Sequence, residues 1–593
     1  MTNRPVGKWR LHVVFSLLML AMAALGGRMV QLVRAGRQDA GRMVLRQQLM
    51  VIPEPGRQGN IFVRTGKGYV LLAGTRCVPS CFADPNLIDD EDIAPTAIEL
   101  GRALGMDPVQ VQEKIHLRRQ RRFVWVKRSI SPAEANAVRA LELPWVGITY
   151  EWKREYPNGG LAASVVGFPP AEDTAGTGAG VELAMHEVLS ARDGRRVMLT
   201  DAARRPIVPV PERSTLPADG RSVLLCIDAS IQGYLEQAVA GALSEFAGRW
   251  ATGVVVEPHT GRILAMCSLP SFNPNQYADA TPADRTNRAV TVPYEPGSVA
   301  KPIFAAAAVE AGVVNYDTKI FCENGTYRAP RGGRISDHGS RYGWLSVRDV
   351  VVHSSNIGMA KIGEKLGNEQ IHGAALRFGL GSQTNIDLPG ESRGILRDLR
   401  RWDGYSMRRV PFGQEISTTT IQLAMAFCAL ANGGELLRPR VVDRVIDADG
   451  RTVWTGRRTM VRRAVSPRVA AETLAVMAEV VERGTGKACK LTRWTSFGKT
   501  GTAQVPGPGG YEQDAYTSSF VGGAPAEAPR VLCLVSVFRP NKSKGYYGAK
   551  VAAPAVRQVL EQTLSYLDVP PDRHSIADSG LRPQDVPLGR ISD

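Results

Sequence analysis

Pro296-Gly297-Ser298-Val299-Ala300-Lys301 runs straight into Pro302-Ile303-Phe304-Ala305-Ala306-Ala307-Ala308-Val309, an apolar stretch that reads as a buried helix ending at Gly312. Pro296-Gly297 cannot lie inside that helix, so Ser298 falls at its N-terminus, and Pro302 is tolerated only in an early turn. Residues i and i+3 share a helix face, which puts the Lys301 amine within reach of the Ser298 hydroxyl. A serine hydroxyl becomes a useful nucleophile when a base takes its proton. A lysine serves as that base when burial or neighbouring cations lower its pKa. The helix dipole adds positive potential where the alkoxide would form.

S-x-x-K alone arises by chance about once per few hundred residues, and an exposed Ser and Lys on a surface helix would then be the better reading. Two further pieces change that. Ser354-Ser355-Asn356 supplies S-x-N at the edge of the helical run 357–362, and Lys499-Thr500-Gly501-Thr502 supplies K-T-G-T after Thr495-Ser496-Phe497-Gly498. S-x-x-K, an S-D-N-type element and K-T-G, in that order, are the signature of penicillin-binding proteins and class A β-lactamases. On these residues, the stretch from about 220 to 565 resembles the transpeptidase domain of a class B penicillin-binding protein. The likeness continues in residues 252–266, similar to the family's first strand hairpin with Glu257 where Asp is usual. Residues 412–417, 420–424 and 431–434 resemble a segment packed beside the active site, and 516–525 the strand after K-T-G.

The resemblance implies an α+β fold: a penicillin-binding/serine β-lactamase-like domain, with an antiparallel sheet and helices on both sides, an N-terminal α+β pedestal domain and one transmembrane helix. The expected division is a cytoplasmic N-terminus at 1–10, a transmembrane signal-anchor at 11–33, a pedestal (dimerisation-like) domain at 34–215, a transpeptidase domain at 216–569 and a disordered tail at 570–593. A chain of 593 residues is too long for one core. The apolar run from Leu11 to Gly27 is close to the lower limit for a span, with Arg4, Lys8 and Arg10 before it. A cleaved signal peptide is the other reading, because Ala21-Met22-Ala23 mimics a cleavage site. Both readings export the rest of the chain.

In the pedestal region, residues 56–64 resemble the family's opening segment, with Val63 where an Asp is usual. Residues 92–117 and 131–142 read as helical, the second starting at Ser131-Pro132. Residues 150–157 and 162–167 resemble the return to the pedestal, and Gly180-Val181-Glu182-Leu183 follows, its acidic residue read as structural. Residues 213–221 read as a linker, 223–227 as a strand, 231–246 as a long helix, 530–538 as a strand and 551–566 as the last helix.

A net charge of +16 favours an anionic neighbourhood, and with no nucleic-acid motif present that is a membrane surface or cell-wall polymer. The cluster Arg118, Arg119, Arg121 and Arg122 reads as a solvated face. Eight cysteines in a chain this long make no disulfide scaffold. Cys226, Cys267, Cys428 and Cys533 read as small core residues, and a Cys77–Cys81 bridge would be strained by its short spacing. No metal-ligand spacing and no cofactor are indicated.

The resemblance assigns the roles. Lys301 deprotonates Ser298, whose Oγ attacks a peptide carbonyl, with backbone N–H groups of Ser298 and Thr502 as the oxyanion hole. Ser354 relays a proton to the leaving amine, and Asn356 holds the substrate amide and bonds Lys301. Lys499 keeps positive potential in the cleft, and the Thr500 and Thr502 hydroxyls bind the substrate carboxylate. Gly501 keeps the strand edge clear for the acyl group. The implied substrate is the D-Ala-D-Ala stem peptide of peptidoglycan, with β-lactams as covalent inhibitors. The implied location is the plasma (inner) membrane, single-pass, with the catalytic domain outside. A septal role of the FtsI type and a membrane glycan polymerase partner of the FtsW type follow from the same likeness. Two alternatives stay open: a D,D-carboxypeptidase or β-lactamase, and a non-catalytic β-lactam sensor or division scaffold.

Overall fold

A computed structural model describes residues 7–170, 177–201, 206–330, 333–507 and 509–573. It divides into two compact units, residues 1–57 with 191–219, and residues 58–190 with 220–593.

The first unit opens with the helix Lys8–Gln48. Its stretch Lys8–Arg34 is 27 residues with a mean hydropathy of 2.0 and is long and apolar enough to cross a membrane. The helix runs past residue 33, where the anchor was expected to end. Leu49–Glu54 then pairs antiparallel with Gly194–Thr200, which pairs with Pro206–Pro209. The expected linker at 213–221 is not free chain on this side, because Thr215 and Ala218 bridge to Arg195 and Arg192.

The second unit holds a five-stranded antiparallel sheet in the order Arg262–Leu269, Trp250–Glu257, Val531–Phe538, Gly510–Ala524, Phe497–Gly507. Period-two alternation explains why its central strands read as continuous apolar runs. Val254, Val256, Leu532 and Leu534 join one core, while Val255, Cys533, Val535 and Val537 join another on the opposite face. The second core is closed by the helices Ala229–Glu245 and Ala553–Tyr566. The first is closed by Lys301–Glu310, Thr420–Ala431 and Pro467–Glu482. Thr420–Ala431 is buried along its whole length, which is why its sequence is apolar on every side.

A seven-stranded sheet runs across the expected boundary near 215. Ile61–Thr65 pairs in parallel with Ser222–Asp228, which pairs antiparallel with Val442–Ile446, while Gly68–Ala83 pairs with Ile61–Thr65, Val124–Lys127 and Val146–Glu155. Val63 is buried in this sheet, and its neighbour Arg64 ties the strand to Asp443 with a 2.5 Å hydrogen bond.

Several expected elements end elsewhere, for local reasons. Residues 92–117 form two helices, because Gly105 takes a left-handed conformation with φ 61° and Asp107 caps a new start at Pro108–Leu117. The helix expected at 131–142 is Pro132–Arg139, held by a capping box between Ser131 and Glu134. The last helix breaks at Ala552, ahead of Pro554. Asp572 accepts a hydrogen bond from Thr495 N at 2.6 Å, and Trp494 Nε1 donates to Pro570 O at 3.1 Å, so the start of the expected tail is docked. Residues 574–593 lie outside the described residues. Cys77 and Cys81 are free, four positions apart on one strand that rises about 3.3 Å per residue, too far apart for a disulfide.

Glu182 is structural. Its carboxylate accepts from Arg154 Nε at 2.7 Å and Tyr156 OH at 3.0 Å, and the ion pair is shut from solvent, with side chains 8% and 0% exposed. Removing one partner strands the other charge in the core. Glu182→Ala is therefore expected to cost about 3–5 kcal/mol, read as a lower melting temperature of the purified chain.

Candidate active site

Ser298 lies in the 3-10 turn Gly297–Ala300, which runs directly into the helix Lys301–Glu310 and so keeps Ser298 at the N-terminus of that helical run. Gly297 has φ 55° and donates its N–H to Gly413 O at 3.0 Å. Gly413 has φ 84°, and a Cβ there would sit 2.1 Å from Gly297 O, so the two backbones meet where residue 413 can carry no side chain. That contact fixes the turn. Every residue of the following helix except Glu310 is buried, Lys301 included.

The Lys301 amine donates to Ser354 O at 2.5 Å, to Asn356 Oδ1 at 2.8 Å and to Ser354 Oγ at 3.2 Å. The Lys499 amine donates to the same Ser354 Oγ at 2.9 Å and to Thr500 O at 3.1 Å. Ser354 sits between the helices Val347–Val352 and Asn356–Leu366 with φ 62°, a region that disfavours residues with a Cβ. The strained backbone turns both its carbonyl and its hydroxyl toward the amines.

Burial holds the Lys301 amine down to about 7, against the charge of Asp337, which pulls it up. Burial pushes Lys499 well below its ordinary value, and repulsion from Lys301 adds to that. The sequence leaves burial and neighbouring cations both open as the cause. In the structure, loss of water is the first cause for both amines.

Above the amines lies a cleft of about 470 Å³ lined by Ser298, Ser354, Asn356, Thr500 and Thr502, among others. Thr502 Oγ1 accepts from Gly548 N at 3.0 Å, and Thr500 Oγ1 shares a 2.9 Å hydrogen bond with Thr485 Oγ1. A Cβ on Gly501 would meet Val299 Cγ2 at 2.5 Å and Pro296 O at 3.0 Å. The glycine thus lets the strand pack on the nucleophile turn, a closer constraint than the clearance for an acyl group expected from sequence. Ser298, Ser354, Asn356, Thr500 and Thr502 share the cleft, and the Lys301 and Lys499 amines meet at Ser354. Among the described residues the hydrogen bonds of the Lys301 amine go to Ser354 and Asn356 rather than to Ser298.

Two neighbours went unread. Asp337 Oδ1 accepts from Asn356 N at 2.6 Å and Ile357 N at 3.0 Å, and its Oδ2 accepts from Ser355 Oγ at 2.8 Å. It anchors the helix that carries Asn356 and favours the charged form of Lys301. Ser355 caps that helix by accepting from Gly358 N at 2.9 Å. Thr485 carries only a weak signal, a threonine between Gly484 and Gly486 ahead of the K-T-G strand.

The sequence matches the family described as penicillin binding protein transpeptidase domain over residues 251–561, and the penicillin-binding protein dimerisation domain over 53–225. The chain belongs to the penicillin-binding protein transpeptidase family. It is 30% identical to the probable peptidoglycan D,D-transpeptidase PbpC of Pseudomonas aeruginosa, covering 95% of this chain and 96% of that one. It is 28% identical to the peptidoglycan D,D-transpeptidase FtsI of Escherichia coli, covering 96% and 94%. Penicillin binding protein 3 of Mycobacterium tuberculosis, solved in complex with aztreonam, superposes with a TM-score of 0.67 at 26% identity, covering 88% of this chain and 98% of that one. The class B arrangement, with a dimerisation region ahead of the transpeptidase domain and an apolar N-terminal helix, is that of this family.

Lys301 makes stability depend on pH in a defined direction. Its ordinary value of 10.5 falls to about 7 in the fold, so between those values the unfolded chain binds a proton that the folded chain refuses. Its contribution is present above pH 10.5, is lost as the pH falls toward 7, and changes no further below that. Lys301→Met is expected to flatten that slope in chemical denaturation series run from pH 7 to 10.

Proposed function

We propose that the chain is a membrane-anchored serine D,D-transpeptidase that cross-links peptidoglycan stem peptides outside the plasma membrane. The observation that carries this reading is the meeting of two buried amines on the Ser354 hydroxyl, beside Ser298 in one cleft. Neutral Lys301 takes the proton of Ser298, and Oγ adds to the carbonyl of the penultimate D-Ala. The C–N bond then breaks, and the departing D-Ala amine receives its proton through Ser354, which both lysines touch. An amine from a second stem peptide attacks the resulting ester, forms the cross-link and frees Ser298. Asn356 orients the lysine and the substrate amide, and Thr500 and Thr502 take the terminal carboxylate.

The pedestal spans residues 34–215 and the transpeptidase domain 216–569 in this reading, with 11–33 as the anchor. β-Lactams acylate Ser298 as mimics of the stem peptide, supported by the aztreonam complex of the mycobacterial relative. Septal synthesis alongside an FtsW-type polymerase is supported by the likeness to FtsI and is tested by depletion, which should give filaments rather than rounded cells.

Fluorescent penicillin is expected to label the wild type and not Ser298→Ala. The labelling rate should rise about tenfold per pH unit below the Lys301 value of about 7 and level off above it. Lys301→Met should slow labelling by about 10²–10⁴-fold. With stem peptide and an acceptor amine, the amide product should form; release of D-Ala by hydrolysis alone would overturn the transfer step.

A further inference from the structure

The hairpin of Phe497–Gly507 and Gly510–Ala524 outruns its sheet. Val531–Phe538 pairs with it as far as Thr517, Arg539 N donates one further bond to Tyr516 O at 2.7 Å, and beyond that the two arms pair with each other through Pro506 with Tyr511 and Gly507 with Gly510. A two-stranded ribbon has little stability of its own. This ribbon nonetheless walls the cleft, because Ala503, Gln504 and Tyr516 line it.

At the tip, Glu512 pairs with Arg539 at 2.6 Å and Asp514 with Lys542 at 2.5 Å, but all four side chains are at least 33% exposed, the kind of pair that contributes little. Another polar contact ends on a buried partner, although Tyr511 itself is 38% exposed. Tyr511 OH donates to Glu295 Oε2 at 3.0 Å, and Glu295 Oε1 accepts from Glu415 N at 3.0 Å. Glu295 is buried and stands three positions before Ser298, beside the Pro296-Gly297 pair that sets the nucleophile turn. Glu415 has φ 61° and follows Gln414, which also lines the cleft. One buried carboxylate therefore grips the nucleophile turn, the opposite wall and the 412–417 segment together. Burial and the carboxylate's charge push the Tyr511 hydroxyl up, which keeps it a donor.

We propose that Glu295 is a positioning residue whose carboxylate, through Tyr511, latches the ribbon tip to the turn carrying Ser298 and so sets the cleft for acyl transfer. This rests on the acyl-enzyme reading above for its kinetic consequence, but not for its structural one. The test uses the purified full chain as wild type, Tyr511→Phe, Glu295→Gln and the double variant. Penicillin acylation rates and backbone hydrogen exchange over residues 503–516 are both measured. Tyr511→Phe is expected to slow acylation by about tenfold to a hundredfold with the melting temperature unchanged. Exchange in the ribbon should quicken, and the double variant should be no worse than the more affected single one. Additive losses, or ribbon exchange indifferent to Tyr511, overturn the latch. A wild type that takes no label, with ribbon exchange that still responds to Tyr511, supports the latch and overturns the acyl-enzyme reading instead.

Discussion

The Ser354 hydroxyl is the point on which the site depends. Two lysine amines, both fully shut from water, reach the same oxygen from different parts of the chain. Two full charges so close in a dry interior are unfavourable, so the fold biases the pair toward sharing fewer than two protons. The Ser354 hydroxyl thus links the two amines in one hydrogen-bonded path. The strain in the Ser354 backbone is the local cost of that arrangement.

Around it, contact between backbones does what side chains do elsewhere. Gly413 sits against Gly297, Gly501 sits against Val299 and Pro296, and Gly548 against the Gly501 and Ser519 carbonyls. These approaches hold the turn, the K-T-G strand and the 412–417 segment at a separation no Cβ allows.

The motif residues were legible because their spacing encodes geometry: Ser298 and Lys301 share one turn, and Lys499 to Thr502 one strand. The sheet strands were legible too, since apolar residues on both faces give unbroken runs such as those at 253–256 and 531–535. Asp337, Thr485 and Glu295 were not. Each acts through a contact with a residue remote in sequence, and a lone acid or threonine in irregular chain has no period to betray it. The break at Gly105 and the docking of Asp572 escaped for related reasons: the first needs a backbone angle, the second a partner at Thr495.

The seven-stranded sheet interleaves strands from residues 61–155, 222–228 and 442–455. No single cut in the sequence separates the early strands from the late ones without leaving a row of backbone N–H and C=O groups unpaired. A chimera that exchanged the N-terminal region of two such enzymes would have to carry the 222–228 strand, and with it the 442–455 hairpin that pairs on its other edge. Grafting along the linear boundary alone would splice two halves of one hydrogen-bonded ladder drawn from different parents.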